Sequence, residues 1–140
     1  MNTIQNILII EDSDVEFDLI CWGLQQIGVE CPLILDKTAE EALERLTRLA
    51  NDPQQASGLP EFILLDIKMP GMGGLGFLKK IGQAEAPLTA IPVIMLSSSS
   101  NPADITLSYQ LGAAGFLRKP TTLDGYAEKM GEVMKLLFPS

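Results

Sequence analysis

Short apolar runs alternate with helix-period stretches five times along this chain. Ile7-Leu8-Ile9-Ile10 and Phe62-Ile63-Leu64-Leu65 are unbroken, the pattern of strands buried on both faces of a parallel sheet. Cys31 to Leu35, Ile91 to Leu96 and Ala114 to Arg118 predict three more strands. The helices carry their own start signals. Ser13-Asp14-Val15-Glu16 and Thr38-Ala39-Glu40-Glu41 are capping-box sequences. The first predicts a helix from about Asp14 to Ile27, and the second a helix with Ala42, Leu43, Leu46 and Leu49 on one face. A further helix is expected over Gly73 to Ile81, after a glycine-rich turn. Asn101-Pro102 supplies an N-cap and first-turn proline for a helix reaching about Leu111. Thr122 to Leu137 places Leu123, Tyr126, Ala127, Met130, Met134 and Leu137 at helical spacing, and Asn51 to Pro60 reads as a polar loop. With no repeat and no dividing linker, residues 1–140 are expected to form one domain. The fold class is α/β, a doubly wound five-stranded parallel sheet in the order 2-1-3-4-5.

Polar residues fall where such a sheet binds ligands, at the carboxyl ends of its strands. Strand one runs into Glu11-Asp12, strand three into Asp66, strand four into Ser97 and strand five into Lys119. With strands one and three adjacent, Glu11, Asp12 and Asp66 come within reach of one another, an unfavourable grouping unless a cation fills it. Three carboxylates and a nearby backbone carbonyl form a hard oxygen site suited to Mg²⁺. Taken singly, each residue has a structural explanation: Asp12 or Ser13 as a cap, Asp66 as a turn residue, Ser97 to Ser100 as a loop, Lys119 as a solvated strand end. Taken jointly, complementary groups at four strand ends of one edge favour a common site.

Composition narrows what that site can serve. Eighteen Asp and Glu against ten Lys and Arg leave a net charge of -8, and the basic residues do not cluster. Nucleic-acid binding is therefore not expected, whereas a cation or a basic protein partner is compatible. The chain has no His, which excludes His-based metal sites and Ser-His or Cys-His catalytic pairs. Cys21 and Cys31 read as buried free thiols rather than a disulfide. Neither a signal peptide nor a stretch of membrane-spanning length is visible, so a cytoplasmic protein without membrane contact is expected.

The blocks Ile9-Ile10-Glu11-Asp12, Leu64 to Gly71, Met95-Leu96-Ser97-Ser98 and Lys119-Pro120 together resemble the receiver domain of two-component response regulators. The resemblance covers essentially the whole chain and implies a flavodoxin-like (βα)5 domain with no effector domain. The loop from Asn51 to Pro60, with Pro102-Ala103-Asp104-Ile105 and Ser108-Tyr109, is similar to the stand-alone receivers that accompany bacterial phytochromes. The resemblance implies that Asp66 accepts a phosphoryl group from a phosphohistidine of a sensor histidine kinase or histidine phosphotransfer protein. Mg²⁺ would be held by Asp12, Asp66, the Lys68 backbone carbonyl and, through water, Glu11. Lys119 would pair with one phosphoryl oxygen and the Ser97 hydroxyl with another, while small Ser98 leaves the group room to enter. This fits a reaction that needs in-line placement and charge neutralisation more than covalent work by the protein. It also implies a switch in which Ser97 moves towards the phosphoryl group and Phe116 turns inward behind it, changing the surface of helix four, strand five and helix five. Core packing is the simpler role for Phe116. A cis Lys119-Pro120 bond, aiming the lysine inward, is a further implication.

The chain departs from the family pattern in three places. Gly73 stands where an acidic residue is usual, Lys68 places a positive side chain at the rim, and Phe116 lacks a tyrosine hydroxyl. Lys68 is expected to alter the lifetime of the phosphoryl group. On this reading the chain is not an enzyme, beyond catalysing its own phosphorylation and dephosphorylation. The alternatives are an aspartate-nucleophile phosphohydrolase, which usually needs an acid where Lys68 stands, and an interaction module independent of phosphorylation. Leu136 and Phe138 exceed what one buried helix stripe requires and mark a candidate homodimer contact, or a C-terminal end packing locally.

Overall fold

The computed structural model describes residues 4–139. Five parallel strands, β1 (Ile7–Ile10), β2 (Leu33–Asp36), β3 (Phe62–Asp66), β4 (Val93–Ser97) and β5 (Gly115–Arg118), lie in the expected order β2-β1-β3-β4-β5. Helices α1 (Asp14–Gln26), α2 (Ala39–Asn51), α3 (Gly73–Gln83), α4 (Pro102–Gln110) and α5 (Leu123–Leu137) lie along the chain after each strand in turn. β1, β3 and β4 are buried at every position, as their uninterrupted apolar runs require. Ile7, Ile9, Phe62, Leu64, Ile94 and Leu96 pack against α1 and α5 on one face. Leu8, Ile10, Ile63, Leu65 and Met95 pack against α2 and α3 on the other. The register sets Ile10 beside Asp36 and Leu65, Asp66 beside Leu96, and Ser97 beside Arg118, so the carboxyl ends of the strands are level.

The helix caps form as the sequence implies. Ser13 Oγ accepts from the Glu16 N–H at 3.2 Å, Thr38 Oγ1 from Glu41 at 3.1 Å and Asn101 Oδ1 from Ala103 at 2.9 Å. Thr122 is the cap of α5 rather than its first residue, accepting from Gly125 at 3.1 Å. In the first capping box the return arm is missing: Ser13 donates its N–H to Glu11, and Glu16 bonds elsewhere.

Several expectations need correction. β2 begins at Leu33 and ends one residue later than expected, at Asp36, because the ladder starts with the Ile7 N–H on the Pro32 carbonyl. α2 continues through Asn51, and a 3₁₀ turn at Ala56–Gly58 occupies part of the expected loop. The buried stripe of α5 is Tyr126, Met130 and Val133, while Leu123 is half exposed. Phe138 packs edge-on to Phe62, with ring centroids 6.2 Å apart, and does not add to an exposed patch; Leu136 alone of that pair faces solvent. Lys119-Pro120 is trans, and the cis peptide among the described residues is Ala86-Pro87. Cys21 and Cys31 are free but only half-buried. No helix among the described residues is long and apolar enough to cross a membrane.

α1 and α5 touch most closely at Gly23, where a Cβ would sit 2.7 Å from the Tyr126 carbonyl oxygen and 3.1 Å from the Met130 side chain. Alanine would gain about 1 kcal/mol of helix propensity there but lose about 1–3 kcal/mol to overpacking against rigid backbone. Gly23→Ala is therefore expected to lower the urea-unfolding midpoint; a raised midpoint would contradict this packing.

Candidate functional site

The carboxyl edge gathers the acidic residues as the strand order requires. Glu11 leaves β1 with its N–H on the Asp36 carbonyl of β2, and Asp12 follows before Ser13 caps α1. Asp66 ends β3 between them and β4, and its neighbour Ile67 donates to the Leu96 carbonyl. One carboxylate oxygen each from Glu11, Asp12 and Asp66 lies within 4.8 Å of the other two. Glu11 and Asp66 are buried and Asp12 is exposed, so the cluster opens to solvent through Asp12. Three hard anionic donors at this spacing fit a divalent cation of the Mg²⁺, Mn²⁺ or Ca²⁺ type.

Lys119 reaches this cluster from the end of β5, one residue past Arg118, and its bond to Pro120 is trans. The first step is backbone: its N–H donates to the Ser97 carbonyl at 2.7 Å, setting it level with the end of β4. Its Nζ then donates to Glu11 Oε1 at 2.7 Å and stands 3.5 Å from Asp66 Oδ1. A cis bond is not needed to aim it inward. Burial pushes the Glu11 carboxyl up, with Asp66 adding to the push, and outweighs the Lys119 hydrogen bond that pulls it down. Burial also raises Asp66, against the opposing pull of Lys119 and of the Lys68 N–H that donates to Asp66 Oδ1 at 3.3 Å. Burial works against the Lys119 charge, yet Glu11 and Asp66, with Glu16 behind them, hold its pKa above the usual value.

The loop after Asp66 is shaped by close approach. A Cβ on Gly74 would lie 2.3 Å from the Asp66 carbonyl oxygen, so only glycine lets α3 start there, and its N–H donates to Ile67. Gly73 has φ +74°, which explains why this chain's departure at that position is a glycine. Lys68 points its backbone N–H at Asp66 while the residue is exposed at the rim.

The remaining expected residues sit nearby in other roles. Ser97 is fully buried, and its Oγ accepts the Ser99 N–H at 3.2 Å, within its own loop. Phe116 is half-buried and packs on the core layer of α2 and α3. Two polar pairs at this edge have no counterpart in the sequence reading. Asp36 is held by Arg45 through two hydrogen bonds, Nε to Oδ2 at 2.8 Å and Nη2 to Oδ1 at 3.0 Å. Tyr126 donates its hydroxyl to Glu16 at 2.7 Å. Asp36 follows the same rule as Asp66, a carboxylate closing a strand, and was hidden only by a strand boundary one residue short. Glu16 was absorbed by the capping box.

The response regulator receiver domain model matches residues 7–130. Chemotaxis protein CheY-3 of Vibrio cholerae is 28% identical over 137 residues, which cover 98% of this chain and 97% of that protein. The chain spans about half the length of the first curated relatives it matches, 49% and 54%. Among solved structures, the phosphorylated cyanobacterial phytochrome response regulator RcpA is similar at a TM-score of 0.81 and 26% identity, covering 96% of this chain and 94% of that one. The Mn²⁺-bound form of response regulator Rcp1 has a TM-score of 0.80 and 26% identity, covering 97% and 96%. Matching strand order, acidic cluster and family model agree: the chain belongs to the response regulator receiver domain family, and its acidic edge is consistent with a phosphoryl acceptor role.

Proposed function

We propose that this protein is a single-domain response regulator that accepts a phosphoryl group on Asp66 from a phosphohistidine of a sensor histidine kinase or histidine phosphotransfer protein. The observation that carries the reading is the placement of Asp66 between two metal-ligand candidates and one ammonium, with Glu11 and Asp12 oxygens within 4.8 Å and Lys119 Nζ at 3.5 Å. An Asp66 carboxylate oxygen attacks phosphorus, the P–N bond to imidazole breaks, and an acyl phosphate forms. Hydrolysis of that acyl phosphate returns the carboxylate and inorganic phosphate. Asp12, Asp66, the Lys68 carbonyl and Glu11 are the residues that would hold Mg²⁺, whose charge would offset that of the phosphoryl oxygens. Lys119 pairs with one of those oxygens by leaving Glu11, and Ser97 meets another by giving up Ser99.

The output is protein contact or onward phosphotransfer, through a switch in Ser97 and Phe116 read on the surface of α4, β5 and α5. α4 suits a movable element: Ser108 is its one buried residue, and Leu107 and Tyr109 face solvent. The exposed Leu136 adds a candidate homodimer contact on α5. The similarity to the phytochrome response regulator RcpA supports a kinase partner of the phytochrome type, the acidic charge supports a role without nucleic acid, and the expected setting is cytoplasmic without membrane contact. Lys68 at the position of a hydrolase acid argues against a phosphohydrolase. The chain is modified and read, and is not an enzyme acting on a separate substrate.

Acetyl phosphate with Mg²⁺ is expected to label the wild type and leave Asp66→Asn unlabelled, with chelation abolishing uptake; equal labelling of both proteins would end the reading. Lys68→Asn is expected to change the rate of phosphoryl loss, followed as inorganic phosphate release, and an unchanged rate would remove Lys68 from the account. The charge balance also predicts a pH effect on the metal-free protein. Glu11 is raised from 4.5 to about 7, so the native state keeps a proton that the unfolded chain gives up between those values. The unfolded state then binds fewer protons, and stability falls as pH rises across that window, being complete below it and lost above it. The urea-unfolding free energy of the wild type relative to Glu11→Gln is expected to decline from about pH 5 to about pH 7.5. A flat or rising difference would show that Glu11 is not buried against its charge.

A further inference from the structure

The Tyr126–Glu16 pair extends the phosphoacceptor reading, on which the following inference rests. Glu16 lies in the first turn of α1, which β1 enters through Glu11-Asp12; Tyr126 lies in the first turn of α5, which β5 enters through Lys119-Pro120. The two side chains join the elements that carry the acidic and basic halves of the site, with the phenolic oxygen 2.7 Å from Glu16 Oε2. Tyr126 is 4% exposed and is held where Gly23 brings α1 against the α5 backbone, so its hydroxyl has little freedom to leave. Burial and the Glu16 hydrogen bond push its pKa up, which keeps it a donor.

Lys119 is the group this pair affects. Its ammonium is shared between Glu11 at 2.7 Å and Asp66 at 3.5 Å, and the charge of Glu16 also acts on it. Glu16 makes no ion pair with Lys119 in this arrangement; its Oε2 accepts the Tyr126 hydroxyl instead. A third carboxylate in contact would anchor the ammonium and slow its transfer to a phosphoryl oxygen. We propose that Tyr126 is a positioning residue that holds Glu16 off Lys119, leaving the ammonium free to follow charge arriving at Asp66.

Four proteins test this: wild type, Tyr126→Phe, Glu16→Gln and the double variant, each assayed for the rate of phosphoryl uptake from acetyl phosphate with Mg²⁺. Tyr126→Phe keeps the ring and removes only the hydroxyl. It is expected to slow uptake by about fivefold, the upper end of what one ion pair is worth. Glu16→Gln removes the competing charge and is expected to stay within about twofold of wild type, as is the double variant, because nothing remains to be held off. Loss of helix contact alone would give a double variant at least as slow as Tyr126→Phe, and that result overturns the proposal, as does an unchanged rate in Tyr126→Phe. No uptake by the wild type is a different failure, since it removes the phosphoacceptor reading and this inference with it. A crystal structure of Tyr126→Phe is expected to show Glu16 within about 4 Å of Lys119 Nζ; Glu16 turned to solvent would count against the mechanism.

Discussion

One ammonium among several carboxylates governs this structure. The parallel sheet brings Glu11, Asp12 and Asp66 to one edge, and two of the three are buried. Isolated charges in such a place cost several kcal/mol each unless paired. Lys119 supplies the pairing, in contact with Glu11 and close to Asp66. The pairing is incomplete, which is why burial still raises both carboxyls. An edge left short of positive charge attracts a cation and tolerates a group that brings its own counter-ion.

The surrounding acids are kept out of this balance by partners of their own. Asp36, whose carbonyl accepts the Glu11 N–H, is taken by the Arg45 fork, a geometry suited to bidentate carboxylate binding. Glu16 is taken by the Tyr126 hydroxyl, and Glu40 of α2 accepts the Met72 N–H of the loop after Asp66 at 3.3 Å. The Gly71 backbone lies so close to Glu40 that a Cβ there would sit 2.6 Å from its carboxylate. The acids around the site thus divide into Asp36, Glu16 and Glu40, which have structural partners, and Glu11 and Asp66, which share one lysine.

Much of this was legible in the sequence, for reasons that differ by element. Uninterrupted apolar runs located β1, β3 and β4, since burial on both faces leaves no alternation to misread, and the caps at Ser13, Thr38 and Asn101 started their helices as expected. Edge strands were harder. β2 and β5 are half-buried, so their ends depend on ladder hydrogen bonds that composition does not reveal, and Asp36 was lost at such an end. The helical period put Leu123 in the α5 stripe, but the close approach at Gly23 turns Tyr126, Met130 and Val133 inward and leaves Leu123 outside. Lys119 was placed at the site, yet its resting partner Glu11 belongs to a contact spanning 108 positions and had no local signal.

The central claim is that the acidic edge is built around Asp66 as the group that is modified. The most direct test is chemical trapping: incubate the protein with acetyl phosphate and Mg²⁺, reduce the acyl phosphate with borohydride, and map the altered residue by peptide mass spectrometry. Reduction of the Asp66 side chain to an alcohol, with no other acid altered, is the expected result. A phosphoryl group found on Ser97 or another hydroxyl, or reduction at a different aspartate, would contradict the account.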